Sequence, residues 1–203
     1  MMAVSLGEIK KLKELTGVGL TDAKKALVEA KGDFDKALAA MREKGLTKAE
    51  KRGEREARQG LIESYVHSGR IGVLIELNCE TDFVARTEAF KDLAHEIAMQ
   101  VAAMNPVYIT TGDISDKARE AKRTELTSAA KSDEKNANKP AGVLAKIVDG
   151  QLAKYFDEQT LYTQTFWKDE TKTVGDLVKE NAAKLGENIV VRQMVRVELG
   201  VSE

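Results

Sequence analysis

The sequence has few of the residue types that carry covalent and metal chemistry, since its 203 residues include one cysteine and two histidines. Cys79 alone can form neither an internal disulfide nor a thiolate metal cluster, which is typical of a protein in a reducing cytoplasm. We expect Cys79 to be a small buried residue of a strand, with a disulfide between two copies as the alternative. A disulfide-stabilised fold and a cysteine metal site are therefore excluded.

Long apolar runs are missing too, and no stretch has the length that spanning a bilayer requires. The N-terminus also lacks the apolar core and the small residues of a signal peptide. Charge is balanced, because 32 Lys and Arg residues face 33 Asp and Glu residues, for a net charge of -1. Such a chain has no general attraction for nucleic acid or for an anionic membrane. We expect a cytoplasmic protein whose partners are proteins, with no membrane and no direct nucleic acid among them.

Motifs of catalysis and of nucleotide binding are also lacking. His67 falls in a turn and His95 on a helix, and neither has neighbouring carboxylates at the spacing of a metal motif. Residues 17–19, Gly-Val-Gly, begin like a dinucleotide-binding loop, but no strand precedes them and Asp22 stands at the third glycine position. The sequence therefore predicts a binding protein that is not an enzyme and holds no cofactor or metal ion.

The chain begins with a pattern of short amphipathic helices. Apolar residues recur at helical spacing in three segments before Gly45, with glycines between the segments. Thr21 or Asp22 can cap the second helix through its side-chain oxygen, and Asp33 can cap the third in the same way. We predict a small three-helix domain over residues 1–45.

A basic segment follows this domain, and we predict a helical linker over residues 46–59. From Lys44 to Arg58 the sequence has six basic and three acidic side chains and almost no large apolar ones. Surfaces that bind single-stranded nucleic acid place aromatic side chains among the basic ones so that bases can stack, and this segment has none. A solvated connector is therefore a better interpretation than an RNA contact.

Residues 60–203 mix strand and helix patterns and predict an α+β core with an antiparallel sheet. Residues 61–66 and 71–77 flank the loop 67–70, which suits a hairpin. The remaining predicted elements are a helix over 87–104, an exposed and partly flexible helical segment over about 113–139, a helix after Pro140, an extended segment over 160–167, a helix over 174–185 and a half-buried strand from Ile189. The predicted fold class is α+β, with the small helical domain in front of the core.

The stretch from Asn78 to Arg86, NCETDFVAR, joins a strand to a helix and places a large aromatic at the junction. Thr81 can cap the helix through its hydroxyl, and the Asp82 carboxylate suits the positive end of the helix dipole. Phe83 then falls in the first turn, where its ring can either fold back into the core or project outward. Spacing alone favours the inward orientation.

Three segments carry a resemblance that covers nearly the whole chain. They read EIKKLKELTGVGLTDAKKALVEAKGDFDKALAAMREKG, then SYVHSGRIGVLIELNCETDFVAR, and last KPAGVLAKIVDGQLAKYF through KTVGDLVKENAAKLGENIVVRQMVRVELG. In this order they resemble the bacterial elongation factor Ts family, the guanine-nucleotide exchange factors of the translation GTPase elongation factor Tu. The first segment is similar to the ubiquitin-associated-like domain of that family, and the other two are similar to its core.

The resemblance implies a translation elongation factor that binds elongation factor Tu and promotes GDP release. It implies that the TDFV segment, from Thr81 to Val84, inserts near the magnesium and phosphate site of that GTPase, with Phe83 as an outward wedge beside Asp82. The other positions that match family contacts are His67, Leu185, Gly186, Leu20, Trp167 and Lys168. The projecting orientation of Phe83 is therefore the one that the resemblance favours.

The chain also departs from the family pattern at two places. Thr21 stands where some members carry a second methionine, and QTFWKD, with Trp167 and Lys168, stands where members often have QPF. The core hairpin occurs once, which resembles the short members that pair two copies, so we expect a homodimer. The rival interpretation is a non-catalytic adaptor or chaperone-like module, because such proteins share the three-helix pattern.

Overall fold

The computed structural model describes residues 5–16, 20–40, 53, 55–133, 136 and 139–201. The described residues fall into two compact units. One contains those up to Ile62 together with 77–93 and 178–190, and the other contains 63–76, 94–177 and those from Val191 onward. The predicted domain boundaries stay a prediction, and most of the predicted linker lies outside the described residues. Residues 55–58, at the end of that linker, are not helical.

Three helices form the N-terminal part of the chain: α1 (Leu6–Thr16), α2 (Leu20–Glu29) and α3 (34–40). Their buried side chains form one small apolar cluster, which consists of Ile9, Leu12, Ala23, Ala26, Leu27 and Ala37, with Ala30, Phe34 and Leu38 packed against it. The arrangement agrees with the amphipathic patterns of the sequence, since the buried apolar residues of these helices recur at helical spacing, while Leu6, Leu20 and Val28 are exposed.

The ends of these helices follow the local sequence, with one exception. Gly32 has a positive φ of 84°, and its N–H bonds to the carbonyl of Leu27, which closes α2 as predicted. The Asp33 carboxylate accepts the Lys36 N–H at 3.1 Å and so caps α3. The predicted cap of α2 is wrong, because this helix already begins at Leu20 and both candidates, Thr21 and Asp22, lie in its first turn.

The larger of two sheets in the described part of the core has three strands in the order β1 (Gln59–His67), β2 (Ile71–Cys79) and β5 (Val190–Glu198). The predicted hairpin is confirmed as β1 (Gln59–His67) and β2 (Ile71–Cys79). Its turn is closed by a hydrogen bond that the Arg70 N–H donates to the His67 carbonyl at 2.9 Å. Ser68 and Gly69 have positive φ in this turn. The buried side chains Val73, Ile75 and Leu77 alternate along β2 as expected, and Asn78 and Cys79 at its end are buried as well.

The other elements confirm the α+β class. In chain order they are α4 (Asp82–Ala85), α5 (Glu88–Met104), a 3-10 turn (Thr111–Asp113), α6 (Asp116–Ser132), α7 (Ala141–Gln159), β3 (Thr165–Phe166), β4 (Asp169–Thr173), α8 (Val174–Leu185) and β5 (Val190–Glu198). Helices α6 and α7 pack against each other over a small cluster that includes Ile114, Leu152 and Phe156. Within the described residues, no helix combines the length and the apolar character needed to cross a membrane.

The extended segment expected over 160–167 is wrong. Residues 161–163 form a turn, and only Thr165–Phe166 is a strand, paired antiparallel with β4. The Thr163 hydroxyl donates to the Asp157 carbonyl at 2.8 Å, and the Gln164 amide donates to the Glu158 carbonyl at 2.8 Å. These bonds satisfy carbonyls at the C-terminal end of α7 and hold the following residues in a turn.

Strand β5 confirms the strand predicted from Ile189, but its buried side changes along its length. Ile189 and Val191 are buried, whereas Val195 and Val197, which strict alternation would place on the same face, are exposed. The reason is Arg196, whose Nε donates to the carbonyl of Ala102 in α5 at 3.2 Å. The arginine therefore occupies the covered side of the strand, and the two valines face away from α5.

Candidate functional site

The segment between β2 and α5 begins with a capped helical turn. Thr81 has extended backbone angles, and its hydroxyl accepts the Val84 N–H at 3.4 Å, so the predicted cap is confirmed. The helix predicted over 87–104 is present as α5, which begins at Glu88, but the turn that Thr81 caps is a separate short helix, α4, which ends at Ala85. Thr87 separates the two helices, since its hydroxyl donates to the Val84 carbonyl at 2.8 Å and accepts the Phe90 N–H at 3.3 Å.

Phe83 projects from this turn with 79% of its surface exposed. The inward orientation that spacing favoured is therefore wrong. Ala85 is the buried residue of α4, and Val84 is half-buried, so the turn rests on these two side chains and leaves the aromatic free. The Asp82 carboxylate pairs with the Arg86 guanidinium at 2.7 Å on the surface of the same turn. The turn presents a large apolar ring beside a paired carboxylate.

A carboxylate from the other end of the chain holds this turn in place. Glu187 Oε2 accepts the N–H groups of Glu80 and Thr81, each at 3.0 Å, and Glu187 Oε1 accepts the Thr81 hydroxyl at 2.6 Å. No motif or periodicity of the sequence points to Glu187. Because more than a hundred residues separate it from Thr81, no local spacing could reveal the contact.

A second carboxylate makes the connection reciprocal. Glu80 Oε1 accepts the Asn188 N–H at 2.6 Å and also pairs with the Arg55 guanidinium at 3.3 Å. Asn188 is buried, and its side-chain amide donates to the Arg55 carbonyl at 2.7 Å and to the Gly53 carbonyl at 3.3 Å. The two loops therefore exchange carboxylate contacts, and the chain that leads into β1 is fastened to the same place.

Leu185 and Gly186, which the resemblance placed at the partner surface, lie directly before this connection. Helix α8 ends at Leu185, and Gly186 has a positive φ of 80° while its N–H bonds to the Ala182 carbonyl at 3.0 Å. A glycine adopts this conformation without the steric cost that a side chain would bring. The turn delivers Glu187 to Thr81, so that the TDFV segment and the Leu-Gly pair are brought together.

Cys79 ends β2 and is fully buried, which confirms the predicted strand residue. Its Sγ lies 3.1 Å from the Thr81 carbonyl. Burial, reinforced by the negative charge of Glu187, raises the pKa of the Cys79 thiol to about 11. A protonated, buried thiol is a poor nucleophile, so Cys79 is a packing residue under the turn.

His67 and Trp167 lie at a second place, where they line one cavity of about 330 Å³. The remaining lining residues are Tyr65, Ile71, Met99, Ala102, Ala103 and Arg196. The Tyr65 hydroxyl and His67 Nδ1 are 3.0 Å apart, within hydrogen-bond distance. The wall is mainly aromatic and aliphatic, with an imidazole and a guanidinium as its charged or titratable groups.

Trp167 is held by a buried amide network. Gln100 is fully buried, and its Oε1 accepts the Trp167 N–H at 3.0 Å while its Nε2 donates to Gln164 Oε1 at 3.1 Å. The indole itself is 42% exposed. Lys168 pairs with Glu96 at 2.8 Å and lies 5.1 Å from the centre of the indole ring. The backbone of Trp167 is therefore fixed, and part of its ring remains available to a partner.

Leu20, the predicted contact of the N-terminal domain, begins α2 and is 49% exposed. The ten predicted site residues therefore fall into three groups: Thr81–Val84 with Leu185 and Gly186, then His67 with Trp167 and Lys168, and Leu20 by itself. Among the residues that the structure describes, no group of His, Cys, Asp and Glu side chains is placed to hold a metal ion.

Comparison with known proteins gives one consistent result. Residues 7–201 match the family model described as Elongation factor TS. The chain is 47% identical over 202 residues to Elongation factor Ts of Thermodesulfovibrio yellowstonii, an alignment that covers 100% of this chain and 99% of that protein. It is 50% identical over 200 residues to the Thermotoga petrophila protein of the same name, covering 98% of both. For Moorella thermoacetica Elongation factor Ts the identity is 49% over 198 residues, or 97% of this chain and 96% of that protein.

Proposed function

The chain belongs to the elongation factor Ts family, and from this membership we propose that it is a guanine-nucleotide exchange factor for elongation factor Tu. It acts in the cytoplasm by binding, makes and breaks no covalent bond, and needs no cofactor. The single observation that carries the proposal is the exposed Phe83 ring on a turn that Glu187 fixes. A ring held in this way can enter another protein without first being ordered.

The task of an exchange factor is set by how a GTPase holds its nucleotide. A magnesium ion and backbone N–H groups bind the phosphates of GDP and make its release slow. An exchange factor must therefore bind the nucleotide-free GTPase more tightly than the loaded one. By linkage, the factor by which it weakens nucleotide binding equals the factor by which nucleotide weakens its own binding. GTP can then displace it from the complex.

Phe83 is the wedge in this scheme. A rigid aromatic at the tip of a short turn displaces a packed element of the GTPase by occupying its space, since packed interiors do not deform continuously. Thr81 caps the turn and Val84 packs beneath it, so both act by holding the ring outward. Asp82 adds a negative charge beside the ring, and this charge disturbs the magnesium and phosphate region electrostatically.

The other contact residues add affinity around the wedge. Leu185 and Gly186 lie on the loop that is bonded to Thr81, so they are placed to meet the same part of the partner. Leu20 offers an exposed apolar side chain from the N-terminal domain, which we propose covers residues 1–45 and is joined through the linker 46–59 to the core 60–203. Leu20 contributes to the affinity for the GTPase through the burial of its apolar side chain.

The cavity around His67 and Trp167 receives an apolar side chain of elongation factor Tu. Its volume of about 330 Å³ and its mainly apolar wall suit one large side chain, and the half-exposed indole provides a flat contact surface. Lys168 covers one side of that indole and is already paired with Glu96, so its part is to hold the ring. This cavity contributes to binding rather than to displacement.

A second copy of the chain is the other proposed partner, and an apolar sheet surface supports it. The surface, called here the outer sheet face, consists of the exposed side chains Val66, Leu74, Val195 and Val197. Leu74 stands between the buried Val73 and Ile75, so it points away from the covered side of β2. Arg196 turns to Ala102 of α5, so its two valine neighbours point away as well. An apolar face on three adjacent strands is typical of a homodimer interface.

The mass of the protein in solution tests the homodimer. Sedimentation equilibrium at micromolar concentration is expected to give twice the chain mass of 22.3 kDa. A Leu74→Glu, Val197→Glu double variant is expected to give the single mass, because a carboxylate would be buried without a partner at the interface. Val107→Glu, at an exposed apolar residue away from the sheet, is the control. A strict monomer of the wild-type protein would contradict the homodimer.

The exchange function is tested by release of fluorescently labelled GDP from elongation factor Tu. Wild-type protein is expected to accelerate release in a concentration-dependent and saturable manner. An adaptor or chaperone-like protein would bind the GTPase in a capture experiment but leave the release rate at its spontaneous value. If the protein binds the GTPase without accelerating GDP release, the exchange function is refuted and the adaptor function is supported.

A further inference from the structure

We propose that Glu187 is the positioning residue of the exchange reaction, which holds Phe83 in its projecting orientation through Thr81. This inference rests on the proposed exchange function. The hydrogen bonds of the Glu187 carboxylate go to neither Phe83 nor Asp82. The carboxylate instead takes three hydrogen bonds from the two residues that lead into α4, Glu80 and Thr81. The orientation of the turn is therefore set from outside the turn.

The local sequence of α4 cannot hold its own orientation. The helix has only four residues, from Asp82 to Ala85, and helices of this length are not stable by themselves. The packing of Ala85 and Val84 and the Thr87 hydrogen bond to the Val84 carbonyl hold its exit, and its entry depends on how Glu80 and Thr81 are held. Hydrogen bonds from backbone N–H groups to a carboxylate are among the stronger ones in proteins, because the acceptor carries a full charge. Glu187 supplies two such bonds at the entry to α4.

The Thr81 hydroxyl links this carboxylate to the helix cap. Its proton is donated to Glu187 Oε1 at 2.6 Å, which leaves the oxygen lone pairs free to accept the Val84 N–H. Glu187 therefore fixes the rotation of the hydroxyl that caps α4. Without the carboxylate the hydroxyl can rotate and donate elsewhere, and the cap loses its orientation.

The connection is also braced on its other side. Glu80 Oε1 accepts the Asn188 N–H at 2.6 Å, so the residue after Glu187 is bonded back to the residue before Thr81. Two loops that exchange backbone contacts in both directions resist sliding and twisting better than loops joined by one bond. Both carboxylate oxygens of Glu187 already accept hydrogen bonds from Glu80 and Thr81. The geometry therefore supports a positioning role for Glu187.

Three variants test the assignment in the GDP-release assay, each titrated to saturation. For Glu187→Ala we expect the maximal release rate to fall roughly tenfold, the loss that corresponds to about one charge-assisted hydrogen bond. The concentration at half-maximal rate should stay within about twofold of the wild-type value, because the contact surfaces remain. Glu187→Gln should recover part of the maximal rate, since its carbonyl can accept both N–H groups but its amide nitrogen cannot accept the Thr81 hydroxyl proton. Glu170→Ala, at an exposed glutamate on β4, is the matched control and should behave as wild type.

A double variant separates positioning from a direct role. If Glu187 acts through Phe83, then Glu187→Ala should cause little further loss of maximal rate in a Phe83→Ala background. An undiminished tenfold loss in that background would overturn the assignment, as would a wild-type maximal rate for Glu187→Ala alone. If Phe83→Ala itself releases GDP at the wild-type rate, the wedge of the proposed function fails instead, so the two failures are distinguishable.

A second pair of variants covers the case in which Glu187→Ala does not fold, as judged by its thermal transition. Thr81→Val removes the hydroxyl that joins Glu187 to the cap but keeps the Thr81 N–H, whereas Thr81→Ser keeps both groups. We expect Thr81→Val to lower the maximal rate and Thr81→Ser to preserve it. Equal maximal rates for the two variants would overturn the positioning role.

Discussion

The two proposed contact regions of the core differ in shape and in how they are held. The TDFV turn is convex, and hydrogen bonds between backbone N–H groups and the Glu187 carboxylate fix its entry. The region around His67 and Trp167 is concave, and side chains form its wall. A projecting ring can displace part of a partner, whereas a cavity can only receive a part of it. We therefore assign the rate of nucleotide release to the turn and the affinity for the GTPase to the cavity.

This division predicts separate kinetic signatures. A residue that acts only while nucleotide is being displaced changes the maximal release rate and leaves the half-saturating concentration nearly unchanged. A residue that binds the loaded and the empty GTPase equally changes the half-saturating concentration alone. Variants in the two regions can thus confirm or refute the comparison within a single assay.

The largest effect is expected from Phe83→Ala, which removes the ring that is 79% exposed in the free protein. Burying a phenylalanine in a partner contributes roughly 1.5–3 kcal/mol, and we expect the maximal rate of GDP release to fall by roughly 10- to 100-fold. Stopped-flow release of labelled GDP at saturating concentration measures this rate. Val107→Ala, at another exposed apolar side chain, is the control for a general effect of surface hydrophobicity. An unchanged maximal rate for Phe83→Ala would refute the wedge.

The cavity is expected to give the next largest effect. Removing the half-exposed indole with Trp167→Ala should raise the half-saturating concentration about tenfold, since tryptophans are frequent hot spots of interfaces. His67→Ala should raise it by a smaller factor, about threefold, because the imidazole forms only part of the wall. Both variants should keep the wild-type maximal rate in the same titration. A lower maximal rate with unchanged half-saturation would reverse the assignment of the two regions.

A smaller effect is expected from Leu20→Ala in the N-terminal helices. Leu20 is half-exposed, so it gains less by burial than a fully exposed leucine would, and we expect the half-saturating concentration to rise roughly threefold. Leu6→Ala, at an exposed leucine of α1 that matches no family contact, is the control. Equal behaviour of the two variants would remove Leu20 from the contact surface.

A further prediction concerns the alkylation rate of the Cys79 thiol and not the rate of GDP release. The thiol pKa of about 11 is raised from an ordinary value of 9.0, so at pH 8 alkylation by iodoacetamide should be at least about a hundredfold slower in the folded than in the unfolded chain. The protonated thiol stabilises the fold, and this contribution is complete below pH 9.0 and is lost as the pH rises through 11. The folded-state alkylation rate should therefore keep rising beyond pH 9, whereas the unfolded rate levels off.

The same thiol reports on the turn above it. Because the Cys79 Sγ lies 3.1 Å from the Thr81 carbonyl, loosening of the turn should expose it. Glu187→Ala is expected to accelerate alkylation at pH 8, and Glu170→Ala is expected to leave the rate unchanged. If the turn is rigid without Glu187, Cys79 will be alkylated at the wild-type rate in both Glu187→Ala and Glu170→Ala. That result would contradict the claim that the Glu187 carboxylate holds the turn.

Local patterns predicted the elements whose burial follows from their own sequence. The hairpin, α5, α7 and α8 have regular apolar spacing, and the structure contains all of them with small differences at their ends. Cys79 was predicted in the same way, as one more apolar position of a strand. The segment 160–167 failed because side-chain bonds to the end of α7 override its extended pattern. In β5, Arg196 lies on the covered side of the strand, so Val195 and Val197 are exposed.

The TDFV turn depends on contacts that local sequence patterns do not show. Thr81 as a cap was predictable from its position before Asp82, but spacing favoured an inward Phe83, and only the family resemblance pointed outward. The break between α4 and α5 was not predicted, although it depends on local hydrogen bonds of Thr87. The role of Glu187 was not predicted because Glu187 lies 107 positions from Glu80 and 106 positions from Thr81. Such contacts carry no local periodicity, so the residues that hold the turn were found only in the structure.

One measurement tests the central claim, that Phe83 acts by distinguishing the empty from the loaded GTPase. Isothermal titration calorimetry can determine the Kd of the wild-type protein and of Phe83→Ala for nucleotide-free and for GDP-bound elongation factor Tu. By linkage, the ratio of the two Kd values equals the factor by which the protein weakens GDP binding. We predict a large ratio for the wild-type protein and a ratio reduced by roughly 10-fold or more for Phe83→Ala. Equal ratios for the two proteins would contradict the claim.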